Sequence, residues 1–504
     1  MSLESALSIA ASGLANINAQ FAVISQNVAN AATPGYAAEV SSQQSLTAGG
    51  VGMGVRTGPA TLRIDQALQT SVGQQNATVA RLQTTQASLQ AIDSVLGTPG
   101  AGDDLGSLLG NLQNSFSTLL TNPGNQTQQS AVVSAAATLA HGINALGAAY
   151  SAQRQAAQND LGAAVTTLNA TLLTIGRISN QIVALKPTSQ GTADLENQRN
   201  AAVQTLSRLL DVRTVAQPNG DLSIFTGTGL TLPTRDGASP FSIPNGSAPA
   251  GSFYPGGSIS GIALDGADVT SQMSGGQIGA NIGLRDSILP AGQAVLDEFA
   301  QTLSSRFAGQ GLTLFTDPSG VVPLSGGTPA QAGYVGYAAT IQVNAAVAAN
   351  PSLVRDGTDP VAGAGFTPNP PGGPAGFTAL IANIGTYAFG NQVQSGVAQP
   401  AFNTNGLGAS GTLAAPFNAA GNALSDFATN LVSSHARQSA TATNTLATEV
   451  ALQTSLNTRI TAVSGVNMDT EISHLLTLQN AYSANARIIA AAQSMFTQLM
   501  QAVQ

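Results

Sequence analysis

LESALSIAASGLANINAQFAVISQNVANAATPGY, residues 3–36, places Leu7, Leu14, Phe21 and Val28 seven residues apart, with Leu3, Ala10, Ile17, Ile24 and Ala31 forming a second seven-residue series. An apolar repeat of seven keeps one face of a helix against a partner helix, so the stretch predicts a coiled-coil seam. Thr33-Pro34-Gly35 stops the helix, because proline disfavours helix in the residue before it and glycine accepts the turn that follows. At 1.5 Å per residue the helix is roughly 45 Å long.

The other end of the chain answers in kind. Met468, Leu475, Tyr482, Ile489, Phe496 and Val503 recur every seven residues, joined by Leu478, Asn485, Ala492 and Leu499 three places on. A polar residue such as Asn485 in a coiled-coil core fixes register at some cost in stability. Asn467 reads as the N-cap of this helix, Asp469 and Glu471 complement the positive end of its dipole, and Gly465 breaks whatever helix precedes it. The candidate assembly interface therefore sets Leu7, Leu14, Ile17, Phe21, Ile24 and Val28 against Leu475, Leu478, Tyr482, Ile489, Phe496 and Leu499.

Between the ends, helical periodicity runs over residues 66–96, over 105–120 through Leu105, Leu109, Leu112 and Phe116, and over about 128–185 without a proline. In the longest segment Val132, Leu139 and Leu146 are followed by Leu161, Leu168, Ile175 and Ile182, a pattern long enough to imply an elongated bundle. Unbroken, it spans roughly 85 Å. Shorter helices are expected through Leu195–Leu210 and over 285–307, and another long one over 421–464. Near Val212 the texture changes: Pro218-Asn219-Gly220 is a hairpin signal, and Gly, Pro, Ser and Thr crowd the chain to about Gly421. The glycines of Gly49-Gly50-Val51-Gly52-Met53-Gly54 do not fit a dinucleotide fingerprint and read as a flexible loop.

Composition removes several function classes. At 504 residues the chain exceeds what one core holds, so two or more domains are expected. Only 8% of residues are charged, with 16 basic against 24 acidic, so no positive field exists to condense on nucleic acid. Lys186 is the sole lysine, which excludes a Gly-Lys-Ser/Thr phosphate loop, and cysteine is absent, which excludes disulfides and thiolate metal sites. No basic residue precedes Arg56, so the start does not read as a secretory signal peptide, and no apolar run reaches the length of a membrane helix. Neither nucleic acid nor membrane is expected as a partner, and no cofactor motif stands out.

A catalytic reading finds little to hold. Glu471 and His474 stand three apart on a helix as in carboxylate-bridged di-metal bundles, but such sites need a second copy and further glutamates. His141 and His435 are isolated in helical patterns. The acids of the Gly-rich region, Asp221, Asp236, Asp265, Asp268, Asp317, Asp356 and Asp359, offer no spacing that singles out a glycosidase-type pair.

Ser12-Gly13-Leu14, Asn27-Val28-Ala29-Asn30 and Thr33-Pro34-Gly35-Tyr36 together resemble the N-terminal signature of flagellar rod, hook and hook-associated proteins. Gly13 lets another helix approach closely, while Asn27 and Asn30 bring amides to a helix end whose carbonyls need partners. Ser464–Glu471 and Leu478–Arg487 narrow the resemblance to the hook-associated protein 1 family, the hook–filament junction proteins, and Asp194–Asn200, Gly283–Asp286 and Ile341–Asn344 agree with it. Met468 stands where that family often has leucine, and the arginine expected soon after Tyr36 is missing.

The resemblance implies an α+β multidomain chain. Residues 1–45 with 467–504 would form a terminal coiled-coil domain of paired N- and C-terminal helices. Residues 46–211 with 421–466 would form an elongated helical bundle, and 212–420 an inserted, mostly β outer domain with a helix near 285–307. It further implies a structural adaptor without catalysis, exported with a dedicated chaperone, that assembles as a ring on the hook tip outside the cell. Its neighbours there would be the hook protein and the next hook-associated junction protein. Another axial protein, hook or distal rod, is the nearest alternative, and a secreted cell-wall hydrolase a more distant one.

Overall fold

The computed structural model describes residues 3–48, 50–97, 102–188, 190–235, 240–361, 365–419 and 421–502. Val503, Gly49 and Asp236, and the side chain of Leu3, lie outside the described residues. Helix α1 (Leu3–Ala29) ends in the turn that Thr33 and Gly35 build, Tyr36 N–H donating to the Thr33 carbonyl (3.2 Å). There follows an antiparallel hairpin of β1 (Glu39–Ala48) and β2 (Val51–Leu62), paired from Glu39↔Leu62 to Ala48↔Val51 with register shifts at Val40/Ser42 and Leu46/Thr47. This hairpin replaces the flexible loop expected around Gly49–Gly54. Alternating Val51, Met53 and Val55 carry the strand, and the glycines between them lower strand propensity without preventing pairing.

The frame is helical. Asp65 caps α2 (Gln66–Leu96) by accepting the Leu68 N–H, Asp104 caps α3 (Leu105–Thr121), and Asn125 caps α4 (Gln126–Leu185) by accepting those of Thr127 and Gln128. The 60 residues of α4 make one unbroken helix about 90 Å long. Helix α5 (Ala193–Leu209) turns back along it, and β3 (Val212–Ala216) pairs with β4 (Leu222–Thr226) around the Asn219-Gly220 turn. Beyond lie a three-stranded sheet of β5 (Phe241–Ser242), β6 (Ala263–Leu264) and β7 (Ala267–Asp268), then α6 (Gly276–Gly283) and α7 (Leu289–Ala308). A π turn at Leu284–Ile288 joins the last two directly before Pro290, whose missing N–H interrupts the regular ladder. Short helices α8 (Ala345–Ala349), α9 (Leu353–Asp356) and α10 (Ala379–Asn383) and small antiparallel hairpins lead to α11 (Leu424–Ser464) and α12 (Met468–Ala502).

The long helix α4 passes through both large cores. Its first half packs Leu139, Ile143 and Leu146 with α3, α7, the start of α11 and the aromatic group Phe116, Phe307 and Phe389. Its second half packs Leu161, Leu168 and Ile175 with Leu206 and Leu210, β4 and the three-stranded sheet. A third, much smaller core is Ile17, Ile24 and Leu478, between α1 and α12. By length and hydropathy alone α1 and α4 could each cross a membrane. Both have partners on this chain: α4 in the two cores, and α1 through Asn16, whose amide donates to Gln43 (2.7 Å) and accepts from Thr57 (3.1 Å) of the hairpin.

Candidate assembly site

Helices α1 and α12 lie antiparallel, as two contacts fourteen residues apart on each helix require. Asn27 meets Glu471 near one end of the pair, and Gly13 faces Asn485 further along. At Gly13 a Cβ would stand 3.1 Å from Asn485 Oδ1, so the glycine sets how closely the helices approach. Asn485 itself turns its amide onto the Ala481 carbonyl of its own helix (3.1 Å).

The structure sorts the expected seam residues into three groups. Ile17, Ile24 and Leu478 are buried against one another, and the same stripe continues through Ala10 on α1 and Glu471 and Ala492 on α12. Leu14, Phe21, Leu475 and Ile489 are half-buried at its flanks. Leu7, Val28, Tyr482, Phe496 and Leu499 are exposed, the last two at 56% and 61%. Two heptad series share α1, and the pairing uses the one through Ala10, Ile17 and Ile24. Of the other series Leu14 and Phe21 flank the seam while Leu7 and Val28 face outward, joined by Ile472, Leu476, Ile488, Met495 and Met500 of α12. Three buried side chains contribute about 1.5–3 kcal/mol each, a thin seam for two such long helices. An apolar face of this extent marks a surface made for further partners.

The pair is attached to the helical body through a buried joint. Asn27, 1% exposed, accepts the Glu39 N–H (2.8 Å) and donates to the Glu39 carbonyl (2.9 Å), so its side chain holds β1 as a neighbouring strand would. It also donates to Glu471 Oε1 (3.2 Å) and accepts from the Tyr36 hydroxyl (3.2 Å). Asn197 of α5 does the same two residues earlier in the chain, accepting the Ala37 N–H and donating to the Ala37 carbonyl, both at 3.0 Å. Ala38 N–H donates to the Ser464 carbonyl (2.7 Å), and the Arg63 guanidinium donates to the Gly465 carbonyl (2.8 Å), closing the joint onto the end of α11.

The remaining residues of the N-terminal signature shape the approach to this joint. Ser12 Oγ donates to the Ile9 carbonyl (2.8 Å) and accepts the Val55 N–H (3.2 Å), docking β2 on α1. Asn30 satisfies the Gln26 carbonyl at the helix end (3.1 Å), as expected for it, whereas Asn27 reaches past the helix to β1. Thr33 donates to Asn30 Oδ1 (3.3 Å). Pro34 is exposed, and Gly35 has φ +79°, a left-handed turn that side-chain-bearing residues resist.

Burial, and then the nearby Glu39 and Asp194 carboxylates, push the Tyr36 hydroxyl well above its usual range. Burial, and then Asp194, likewise raise Glu39 above the ordinary carboxylate value. Elsewhere, His474 and His141 are exposed, and no group of three acids or histidines able to hold a metal occurs among the described residues. His435 is buried, within reach of Tyr150 (3.4 Å), Leu89 O (3.3 Å) and Asp93 (3.1 Å), and burial lowers its pKa. Asn197 and Glu39 are the joint residues whose roles sequence reasoning missed. Asn197 does lie within the Asp194–Asn200 stretch that carried the family resemblance.

Known families match two segments. Residues 89–315 match the flagellar hook-associated protein FlgK helical domain, and residues 461–502 match the flagellar basal body rod FlgEFG protein C-terminal segment. No curated protein matches the sequence. Among solved structures, the flagellar hook junction protein FlgK from Burkholderia pseudomallei is similar at 24% identity and a TM-score of 0.40, over 50% of this chain and 45% of that one. The matched region thus spans less than half the length of that solved protein. Residues 89–315 are thus similar to the helical domain of a hook-associated protein, and residues 461–502, from the last turn of α11 through α12, to the C-terminal segment of rod-type flagellar proteins.

Proposed function

We propose that this chain is a structural adaptor that assembles on the hook tip and joins hook to filament, with no catalytic role. The observation that carries the reading is the terminal pair: α12 bears the match to the rod-type C-terminal segment, and the pair turns an unpartnered apolar face to solvent. On this reading Leu7, Val28, Tyr482, Phe496 and Leu499 contact neighbouring copies in a ring, while the hook protein and the next junction protein bind above and below. Export with a dedicated chaperone to the cell exterior belongs to the same proposal. So does a division into terminal pair (1–45 with 467–504), helical rod (46–211 with 421–466) and an insert (212–420) that shares both large cores with the rod. Support for the junction position, rather than hook or rod, comes from the FlgK-type match of the helical domain.

A deletion strain tests it. Cells lacking the protein should build hooks, release flagellin into the medium and carry no filaments. Loss of the hook itself would move the protein to another axial position, and normal filaments would overturn the reading altogether.

A further inference from the structure

Four carboxylates converge on the joint in a chain that has few charges to place. Glu39 opens β1, Asp194 and Glu196 come from the first turn of α5, and Glu471 comes from α12. Glu39 is only 8% exposed, its backbone is pinned on both sides by the Asn27 amide, and its Oε1 has no hydrogen-bond partner. The groups around it cannot neutralise it. The Tyr36 hydroxyl, which donates to Asn27 (3.2 Å), is also within hydrogen-bond reach of the Glu39 carboxyl and partly offsets the cost of its charge, while Glu471 commits Oε1 to the Asn27 amide. Asp194 and Glu196 add like charge from α5. The cations on the adjoining segments turn elsewhere, Arg63 to the Gly465 carbonyl and Arg199 to the Gly220 carbonyl (2.7 Å) and Ser179 Oγ (3.4 Å). An ionised carboxylate buried with an unpaired oxygen is expensive, and a proton removes most of that cost.

We propose that Glu39 is a proton-operated latch between the terminal helix pair and the helical body: neutral, it keeps β1 seated among α1, α5 and α12, and ionised, it loosens the joint. The proton comes from solvent and returns to it. Burial first, then Asp194, raise the carboxyl above its ordinary value of 4.5. A carboxyl raised on docking contributes stability that is complete below that ordinary value and is lost as the pH climbs through the raised one. The joint is therefore tightest in acid and most compliant toward neutral pH. This regulation deepens the assembly role proposed above and rests on it for its purpose, but its test needs no assembly.

The chain has no cysteine, so Ser25→Cys and Ala201→Cys, both exposed positions, give one spin-label pair across the joint on the full-length protein. The distance distribution is expected to be narrow below the ordinary carboxyl value of 4.5 and to broaden as the pH is raised above it. Glu39→Gln, which keeps shape and removes ionisation, should stay narrow throughout. Asp194→Asn should move the parent's midpoint to lower pH, since it removes a charge that raises Glu39. An unchanging distribution in the parent, a Glu39→Gln chain that broadens as the parent does, or an unshifted midpoint in Asp194→Asn would each overturn the proposal. A flat profile beside a deletion strain that behaves as a junction mutant would remove the latch and leave the assembly role standing.

Discussion

Replacing Asn197 with alanine deletes two hydrogen bonds at once and leaves their partners nowhere to turn. The Ala37 N–H and carbonyl lie at 3.0 Å from the Asn197 amide, and Ala37 is 3% exposed. A buried polar group left unpaired costs about 1–3 kcal/mol, so the joint should weaken by roughly 2–6 kcal/mol. Water entering the space holds the cost toward the lower end of that range. Asn197 stands at the end of α5 nearest the joint, whereas the second core is built on Leu206 and Leu210 further along, so the cost should fall on local opening. Amide exchange at Ala37 should then accelerate by between about 30-fold and 10⁴-fold, a factor of ten for each 1.4 kcal/mol. Exchange in the cores around Leu139 and Leu168 should be unchanged. Asn197→Asp should be no better, keeping an acceptor for the Ala37 N–H but setting a carboxylate oxygen against its carbonyl. An Ala37 amide equally protected in the folded alanine variant would refute the clamp. Loss of protection through both large cores would show that Asn197 holds the rod rather than the joint.

Three further outcomes follow from the same geometry. Gly176→Ala drives a methyl group into the Thr234 carbonyl where the chain crosses α4, and should lower the urea midpoint by an amount equivalent to about 1–3 kcal/mol or more, because a backbone oxygen cannot rotate away. Asp297, buried on α7 and accepting the Gly336 (2.7 Å) and Ala338 (2.9 Å) N–H groups, is pushed up to about 7 by burial; its contribution is complete below its ordinary value of 3.8 and lost as pH rises through about 7. Asp297→Asn should flatten stability against pH across that interval, and an unchanged slope in urea titrations would contradict the assignment. Phe496→Ser with Leu499→Ser should leave the unassembled chain's unfolding midpoint within about 0.5 kcal/mol per site, both side chains being exposed, while abolishing filament formation in complemented cells.

The helices are legible in the sequence because their signals are local. Asn125 before α4, Asn467 before α12 and the Asn219-Gly220 turn each act within a few residues of themselves. The seam is legible in period but not in phase. Leu7, Leu14, Phe21 and Val28 repeat as regularly as Ala10, Ile17 and Ile24, and what decides which series faces α12 is the hairpin docked on Ser12 and Asn16. That hairpin escapes because Gly52 and Gly54, between the alternating Val51, Met53 and Val55, lower strand propensity and read as loop. The joint escapes for a different reason. Asn27 and Asn197 do their work on backbone atoms, and the partner of Asn197 is 160 residues away, so no spacing or residue type on the partner's side announces it.

The uninterrupted 60-residue α4 has a mechanical meaning. A single helix carried through two packed cores behaves as a beam, and beams concentrate bending where they are thinnest. Here that place is the crossing of two connections, Arg63–Asp65 and Ser464–Asn467, between a stiff body and a lightly held helix pair. Any curvature imposed on the molecule would be taken up at that crossing, leaving the packed interior undisturbed.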